Sequence, residues 1–302
     1  MTKELTIIVL TYNSEGIIQD CLSRLNFDKY KIAVVDNASK DNTVKVVEEN
    51  FKPDKLYKLE ANMGFGNGNN IALEQVDTDF ALVLNPDAMI DDENIEIVLE
   101  EMKKNEKFVL AGPVVLDNYP YNDKEYSDRT FIMSEDFEAG KDCHYEKIGN
   151  SYSVRFIIGC AMFFKMQEMR KIGFFDKNIF LFYEDDEICH RVRQKNYKAI
   201  VVETAKAFHL KGESCKKSLR LLYIREWNFM WSKMYWKDVR KGFLRSKRSS
   251  SKHSLIQFIK VLCSIVFFNK EKIVRNLAYM NGAFCYCIGL GSFKKDGKPR
   301  VN

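Results

Sequence analysis

From its first residues the chain alternates short apolar runs with stretches whose apolar residues recur every three or four positions. Leu5 to Leu10, Lys31 to Val35, Lys55 to Leu59, Phe80 to Leu84 and Val109 to Val115 read as strands, short and rich in Val, Ile and Leu. Between them, Ser14 to Leu25, Asp41 to Asn50, Asn69 to Gln75 and Asp92 to Lys104 have helical periodicity, with Ser14, Ser39 and Asp92 as caps. The strands are almost continuously apolar, as strands are when both faces are covered. The pattern predicts an α/β domain with a mostly parallel mixed sheet. From Leu116 to Ser153 it dissolves into a polar stretch too long for a simple connection. It returns as a strand over Val154 to Lys165, a helix over Glu184 to Lys195, and strands over Ala199 to Val202 and Ala205 to Leu210. Beyond Cys215 the chain turns helical, basic and aromatic, which separates residues 1–214 from a helical region at 215–302.

Charge sharpens that division. The 302 residues carry a net +5, but residues 1–210 carry −11 and residues 211–302 carry +16. A basic tail on an acidic body points to a polyanion or an anionic membrane as the tail's partner. With 46% hydrophobic and 29% charged residues, disordered and collagen-like classes are excluded. The eight cysteines (Cys21, Cys143, Cys160, Cys189, Cys215, Cys263, Cys285 and Cys287) show no CxxC pair and no regular spacing, and read as reduced thiols of a cytoplasmic protein. The apolar run before Tyr12 is too short for a signal-peptide core. Leu255 to Phe268, the longest apolar stretch, is interrupted by Gln257 and Lys260 and falls short of the roughly 20 residues a membrane span needs.

Ligands of a parallel α/β sheet bind beyond the carboxyl ends of its strands. Four polar clusters fall there: Thr11-Tyr12-Asn13, Asp36-Asn37-Ala38-Ser39, Asn62 through Asn70, and Asn85-Pro86-Asp87-Ala88. Asp36 either accepts hydrogen bonds from a nucleoside or closes an Asx turn. Asp87 either holds a hard divalent cation against a diphosphate or belongs to a Pro-Asp turn. Gly64, Gly66 and Gly68 read as a loop admitting a ligand to the backbone. Their spacing after the third strand is neither a dinucleotide fingerprint nor a Walker A loop. Glu184-Asp185-Asp186-Glu187 stacks four carboxylates behind an aromatic run. A helix dipole relieves two of them better than four, and mutual crowding that raises proton affinity suits a general base. His209, after the last strand, is either structural or a nitrogen ligand to the same cation.

Taken together, Ile7 to Asn13, Val34 to Ser39, Asn62 to Asn70, Leu84 to Asp87, and Gly173 to Asp176 continuing through Phe180 to Arg191 resemble the motifs of family 2 glycosyltransferases with the GT-A fold, and among them the rhamnosyltransferase-like branch. The resemblance implies a Rossmann-like nucleotide-sugar-binding domain and inverting transfer of a sugar from a nucleoside diphosphate to an acceptor hydroxyl. On the matching positions it implies that Thr11, Tyr12, Asn13, Asp36 and Ser39 hold the nucleoside, that Gly66 and Asn69 lie near the diphosphate or sugar, and that Asn37, Asn62 and Asn85 belong to the same donor site. It implies Asp87 and His209 as ligands of Mg2+ or Mn2+, Asp185 as the base, and Glu184 and Asp186 as residues that orient the acceptor. Asn85 departs from the family's D-x-D, whose first acid it replaces, and leaves one carboxylate for the metal. The implied donor is TDP-rhamnose or another TDP- or UDP-sugar. The implied acceptor is a cell-surface glycan or a polyprenyl-diphosphate-linked saccharide.

In the tail, Leu219, Leu222, Tyr223, Trp227, Met230, Trp231 and Met234 form an amphipathic stripe. It reads either as core or as an interfacial face, since Trp and Tyr favour headgroups. Lys237, Arg240, Lys241, Arg245, Lys247, Arg248 and Lys252, opposed by Asp238 alone, would each contribute about 1 kcal/mol near an anionic leaflet. No motif that reads nucleic acid is present. The expectation is a protein peripheral on the inner face of the cell membrane. Transfer of glucose, galactose or GlcNAc, a nucleotidyltransferase on the same kind of sheet, and a noncatalytic polyanion-binding protein are the competing readings.

Overall fold

The structure is a computed structural model that describes residues 3–117, 146–210, 218–241, 243–266 and 269–301. Most of the polar excursion (118–145, with Cys143), Cys215, and the side chains of Lys241, Arg245, Lys247 and Arg248 lie outside the described residues. In chain order the elements are β1 (Leu5–Thr11), α1 (Ile18–Ser23), β2 (Lys31–Asp36), α2 (Thr43–Asn50), β3 (Lys55–Lys58), α3 (Phe65–Leu73), β4 (Phe80–Leu84), β5 (Ala88–Met89), α4 (Asp92–Lys103), β6 (Phe108–Asp117), β7 (Glu146–Ile148), β8 (Ser151–Val154), β9 (Ala161–Lys165), α5 (Met166–Ile172), α6 (Glu184–Gln194), β10 (Lys198–His209), α7 (Leu219–Lys241), α8 (Phe243–Val266) and α9 (Lys270–Cys287).

Two compact units account for these elements. The first takes the described residues of Met1–Glu60, Gly68–Phe175 and Asp185–Cys215, and holds one sheet in the order β3-β2-β1-β4-β9-β6-β10-β8-β7. The strands β3, β2, β1 and β4 run parallel, and every residue of β1 and β4 is buried. Ile18 and Leu22 of α1, Val47 of α2, and Ile95, Leu99 and Met102 of α4 join the strands in a single apolar core. That packing is why the strands read as continuous rather than alternating. The chain leaves β1 for β2 on one side and later adds β4 on the other, which makes the carboxyl ends of β1 and β4 a topological switch point. Past β4 the sheet turns mixed, with β9 antiparallel to both β4 and β6.

The structure departs from the hydrophobic pattern at several places. Val154 to Lys165 is not one strand, because residues 155–160 leave the ladder between β8 and β9. The two strands expected at 199–210 are one, β10, whose register with β6 shifts between Val202 and Lys206. The glycine loop is the start of helix α3. A Cβ on Gly68 would lie 2.6 Å from Leu10 Cδ1 and 3.3 Å from Asn37 Nδ2, so this glycine lets the helix close onto β1 rather than admitting a ligand. Asp91, not Asp92, caps α4 by accepting from Asn94 N, and Ser39 accepts from Asn13 N instead of capping.

The second unit takes the described residues of Ala61–Asn67, Asp176–Glu184 and Lys216–Asn302. Trp227, Met230, Trp231 and Met234 of α7 pack with Ala278, Ala283 and Tyr286 of α9, and Trp231 Nε1 donates to Leu290 O at 2.7 Å. Trp227, Trp231 and Trp236 are all buried, so the stripe from Trp227 to Met234 is core and the interfacial reading of these rings is set aside, while Leu219 at its start is 44% exposed. Among the described residues no helix is long and apolar enough to cross a membrane. Gly64 carries φ of +80°, and a Cβ there would meet Phe180 O at 1.9 Å. That oxygen accepts from Phe65 N at 3.0 Å and cannot retreat freely. Gly64→Ala is therefore expected to cost about 3 kcal/mol or more in a denaturant melt, and a melt indistinguishable from wild type would remove the constraint.

Candidate functional site

At the ends of β1 and β2, Thr11 and Asp36 are register partners. A mesh of short bonds shapes the chain there: Asn37 N to Thr11 O (2.9 Å), Ser39 N to Asp36 Oδ2 (3.0 Å), Asn13 N to Ser39 Oγ (2.9 Å) and Lys40 N to Asn13 Oδ1 (2.7 Å). It holds Asn13 and Ala38 at φ of 51° and 67°, a region tolerable for Asn and costly for Ala. Asp36 thus makes the turn, but with one oxygen only. Its Oδ1, and Thr11 Oγ1 beside it, are buried with no hydrogen-bond partner among the described residues, in side chains 3% and 1% exposed. Each such atom costs about 1–3 kcal/mol unpaired, and hydroxyl or N–H groups of a ligand would relieve both. Asn37 is buried alongside, and Tyr12 is half-buried with its N–H toward Ser14 Oγ.

After β4, Asn85 N donates to Cys160 O (2.9 Å) and Ala88 N to Asn85 O (3.0 Å), which delivers Asp87 to the start of β5. The strand β5 pairs with the end of β10, Ala88 opposite His209, and Leu210 N donates to Asp87 O (2.9 Å). This small ladder sets His209 Nε2 3.2 Å from Asp87 Oδ1, with His209 Nδ1 buried and without a hydrogen-bond partner among the described residues. Two adjacent ligands on one octahedral ion lie about 3 Å apart for bonds of about 2.1 Å, so the pair fits a single divalent cation. Among the described residues no group of three His, Cys, Asp or Glu gathers into a cage.

The four carboxylates of 184–187 differ in burial and in partners. Glu187 is buried against Arg191, with Nε to Oε1 at 2.9 Å and Nη2 to Oε2 at 2.7 Å. Glu184 is buried, while Asp185 and Asp186 are half-buried. Asp185 Oδ2 accepts from Gly159 N (3.3 Å) and Oδ1 from Asp186 N (3.1 Å). Burial pushes the Asp185 carboxyl up to about 6 against the lowering effect of these N–H groups. Desolvation is the chief cause, where crowding among carboxylates was expected.

Gly159 and Cys160 were not singled out from the sequence. In their turn Gly159 N donates to Asp185 and Cys160 O accepts from Asn85 N, tying the candidate base to the Asp87 turn. The only sequence signal was a glycine interrupting an apolar run. Cys21 lies on the same turn, its Sγ 3.9 Å from Asn85 O, and burial pushes the Cys21 thiol up to about 12 and that of Cys160 upward too, so both are inert. Asn69 is buried in the first unit, and the neighbouring Asn70 is structural, bracketing the Phe175 backbone through both ends of its amide. Asn62, Gly66 and Glu184 fall in the second unit, where Asn62 Oδ1 accepts from Gly64 N at 2.9 Å.

A family model described as glycosyl transferase family 2 matches residues 6–173. The chain is 24% identical over 220 residues to the low-salt glycan biosynthesis hexosyltransferase Agl10 of Haloferax volcanii, covering 69% of this chain and 68% of that one. It is 24% identical over 219 residues to the rhamnosyltransferase WbbL of Escherichia coli, covering 67% of this chain and 82% of that one. Its fold matches the mannosyltransferase PcManGT of Pyrobaculum calidifontis, solved in complex with GDP-Man and Mn2+, with a TM-score of 0.56 at 13% identity over 95% of this chain and 87% of that one. It spans 42% of one further relative and 46% of one further solved chain.

Proposed function

Because this chain belongs to glycosyl transferase family 2, we propose that it transfers a sugar with inversion from a nucleoside diphosphate to a glycan hydroxyl, with Asp185 as the general base. The observation that carries the reading is the Gly159–Cys160 turn, which ties Asp185 to the turn bearing Asp87 at the switch point of the sheet. The acceptor oxygen bonds to the anomeric carbon as the bond to the diphosphate oxygen breaks. Asp185 takes the hydroxyl proton, and the nucleoside diphosphate leaves with the bonding electrons. A base of this kind contributes about 10²- to 10⁴-fold, and a carboxyl titrating near 6 is ionised at neutral pH yet basic enough to act.

Thr11, Tyr12, Asn13, Asp36, Asn37 and Ser39 hold the nucleoside, the unpaired oxygens of Thr11 and Asp36 accepting from it. Asn69 and Asn85 complete the donor site in the first unit, and the donor roles of Asn62 and Gly66 rest on their motif alone. Asp186 and Glu184 orient the acceptor. Asp87 and His209 would hold Mn2+ or Mg2+, which when bound stabilises charge on the departing diphosphate. TDP-rhamnose is the favoured donor, supported by the likeness to the rhamnosyltransferase WbbL. The likeness to a hexosyltransferase supports glucose, galactose or GlcNAc as the alternative. The acceptor is a cell-surface glycan or a polyprenyl-diphosphate-linked saccharide, met on the inner face of the membrane where the +16 tail faces anionic lipid.

The test is a donor panel of TDP-rhamnose and UDP-linked glucose, galactose and GlcNAc, each with Mn2+ or Mg2+, read as nucleoside diphosphate released. Turnover is expected with one of them. Release of pyrophosphate from a nucleoside triphosphate instead would replace this reading with nucleotidyl transfer.

A further inference from the structure

Over its described side chains, 250–263, helix α8 buries a mainly polar face and exposes an apolar one. Ser250, Gln257 and Val261 are buried there and Ser254 half-buried, all on one face at helical spacing. Ser250 Oγ donates to Ala283 O (2.7 Å) and Ser254 Oγ to Met280 O (3.3 Å), both on α9. On the opposite arc, Leu255 is 64% exposed, Phe258 48%, Ile259 54% and Leu262 50%. A helix surrounded by water places such residues the other way round. Small hydroxyl side chains between helices with large apolar ones outside is the sorting found where the solvent is lipid. The helix is not apolar enough over its length to cross a bilayer, so the arc suits lying in the interface.

The surroundings of the arc favour one occupant. Lys252 and Lys260 on α8, and Lys270 and Lys272 at the start of α9, are exposed, against Glu271 as the acid among them. Cations flanking an apolar arc match the anionic headgroups and acyl chains of a bilayer, whereas a second copy of the arc would bring like charges together. The tryptophans of α7 are buried and supply no part of the surface.

We propose that the arc formed by Leu255, Phe258, Ile259 and Leu262 lies in the plane of an anionic membrane at the boundary between headgroups and acyl chains. The inference rests on the membrane part of the proposed function and gives it residues. The test uses the full chain with vesicles of phosphatidylcholine, with and without phosphatidylglycerol, and reads co-sedimentation. Wild type is expected to bind the mixed vesicles. The combined Phe258→Ser, Ile259→Ser and Leu262→Ser variant, altered only at exposed positions, is expected to lose binding by about tenfold or more with an unchanged thermal melt. Equal binding by both proteins, or none by wild type, overturns the proposal. So does a vesicle-free dimer that the substitutions dissolve, which would assign the arc to a second copy. Donor turnover in the same samples is an independent readout: wild type that binds vesicles but releases no nucleoside diphosphate keeps the lipid surface and removes the transferase reading.

Discussion

Replacing Asp185 with Asn is expected to lower turnover by about 10²- to 10⁴-fold while nucleotide binding is retained. The amide oxygen can still accept from Gly159 N, so the local geometry survives, but the side chain can no longer take a proton. Steady-state release of nucleoside diphosphate measures the first effect and equilibrium nucleotide binding the second. Retained turnover would remove Asp185 from the base role. The same residue sets a pH dependence. The wild-type rate should climb through about pH 6 as the carboxyl ionises and level off above it, and the residual rate of the variant should lack that acid limb.

The stability effect runs in the opposite direction from that of a salt-bridged carboxylate. The folded chain holds the Asp185 proton up to about 6, whereas in the unfolded chain the group titrates near its ordinary 3.8. Between those values the folded state binds more protons, so the stability associated with this group is full below the ordinary value and is lost as pH rises through about 6. Asp185→Asn should therefore melt above wild type at neutral pH, by about 1 kcal/mol for a half-buried, partly screened group, and the difference should vanish in acid. A variant less stable than wild type at neutral pH would contradict the desolvation account.

Asp87→Ala is expected to weaken nucleoside diphosphate binding by about 10- to 100-fold in the presence of Mn2+ and to abolish the difference made by adding a chelator. The fold should tolerate the change, because Leu210 N bonds the backbone oxygen of residue 87 and β5 pairs with β10 through its peptides. His209→Ala should leave the carboxylate and shift the remaining preference from Mn2+ toward Mg2+, since imidazole is the softer donor. Calorimetric titration with each metal separates the two. An Asp87→Ala protein whose nucleotide affinity still depends fully on metal would show that the ion sits elsewhere.

The parallel half of the sheet was legible because its strands are buried on both faces, and an apolar run such as Phe80 to Leu84 has no other use in a chain of this composition. The clusters at the strand ends could be located for the same reason, since the topology fixes where strand ends lie. Contacts that cross the chain were not legible. Gly66 and Gly68 have poor helix propensity, and only the close approach of Gly68 to Leu10 explains a helix there. Glu203 and Thr204 look like a strand break, yet β6 carries β10 past them with a shift of register. Residues 155–160 are apolar enough for a strand, and what removes them from the ladder is a turn whose partner, Asp185, lies in a different motif. The tail's amphipathic stripe, its apolar stretch Leu255 to Phe268 and its basic run were visible in sequence, but not which of them turns its apolar side outward.

Arg191 bears on how firmly the candidate base is held. Helix ends fray, and Asp185 rides on the first turn of α6. In that turn Glu187 is gripped by a guanidinium that also bonds Ile172 O, Gly173 O and Phe174 O, so the helix start is riveted to the end of α5. For the base proposed at Asp185, a helix start held in this way would supply the ordering at folding rather than at each encounter with an acceptor.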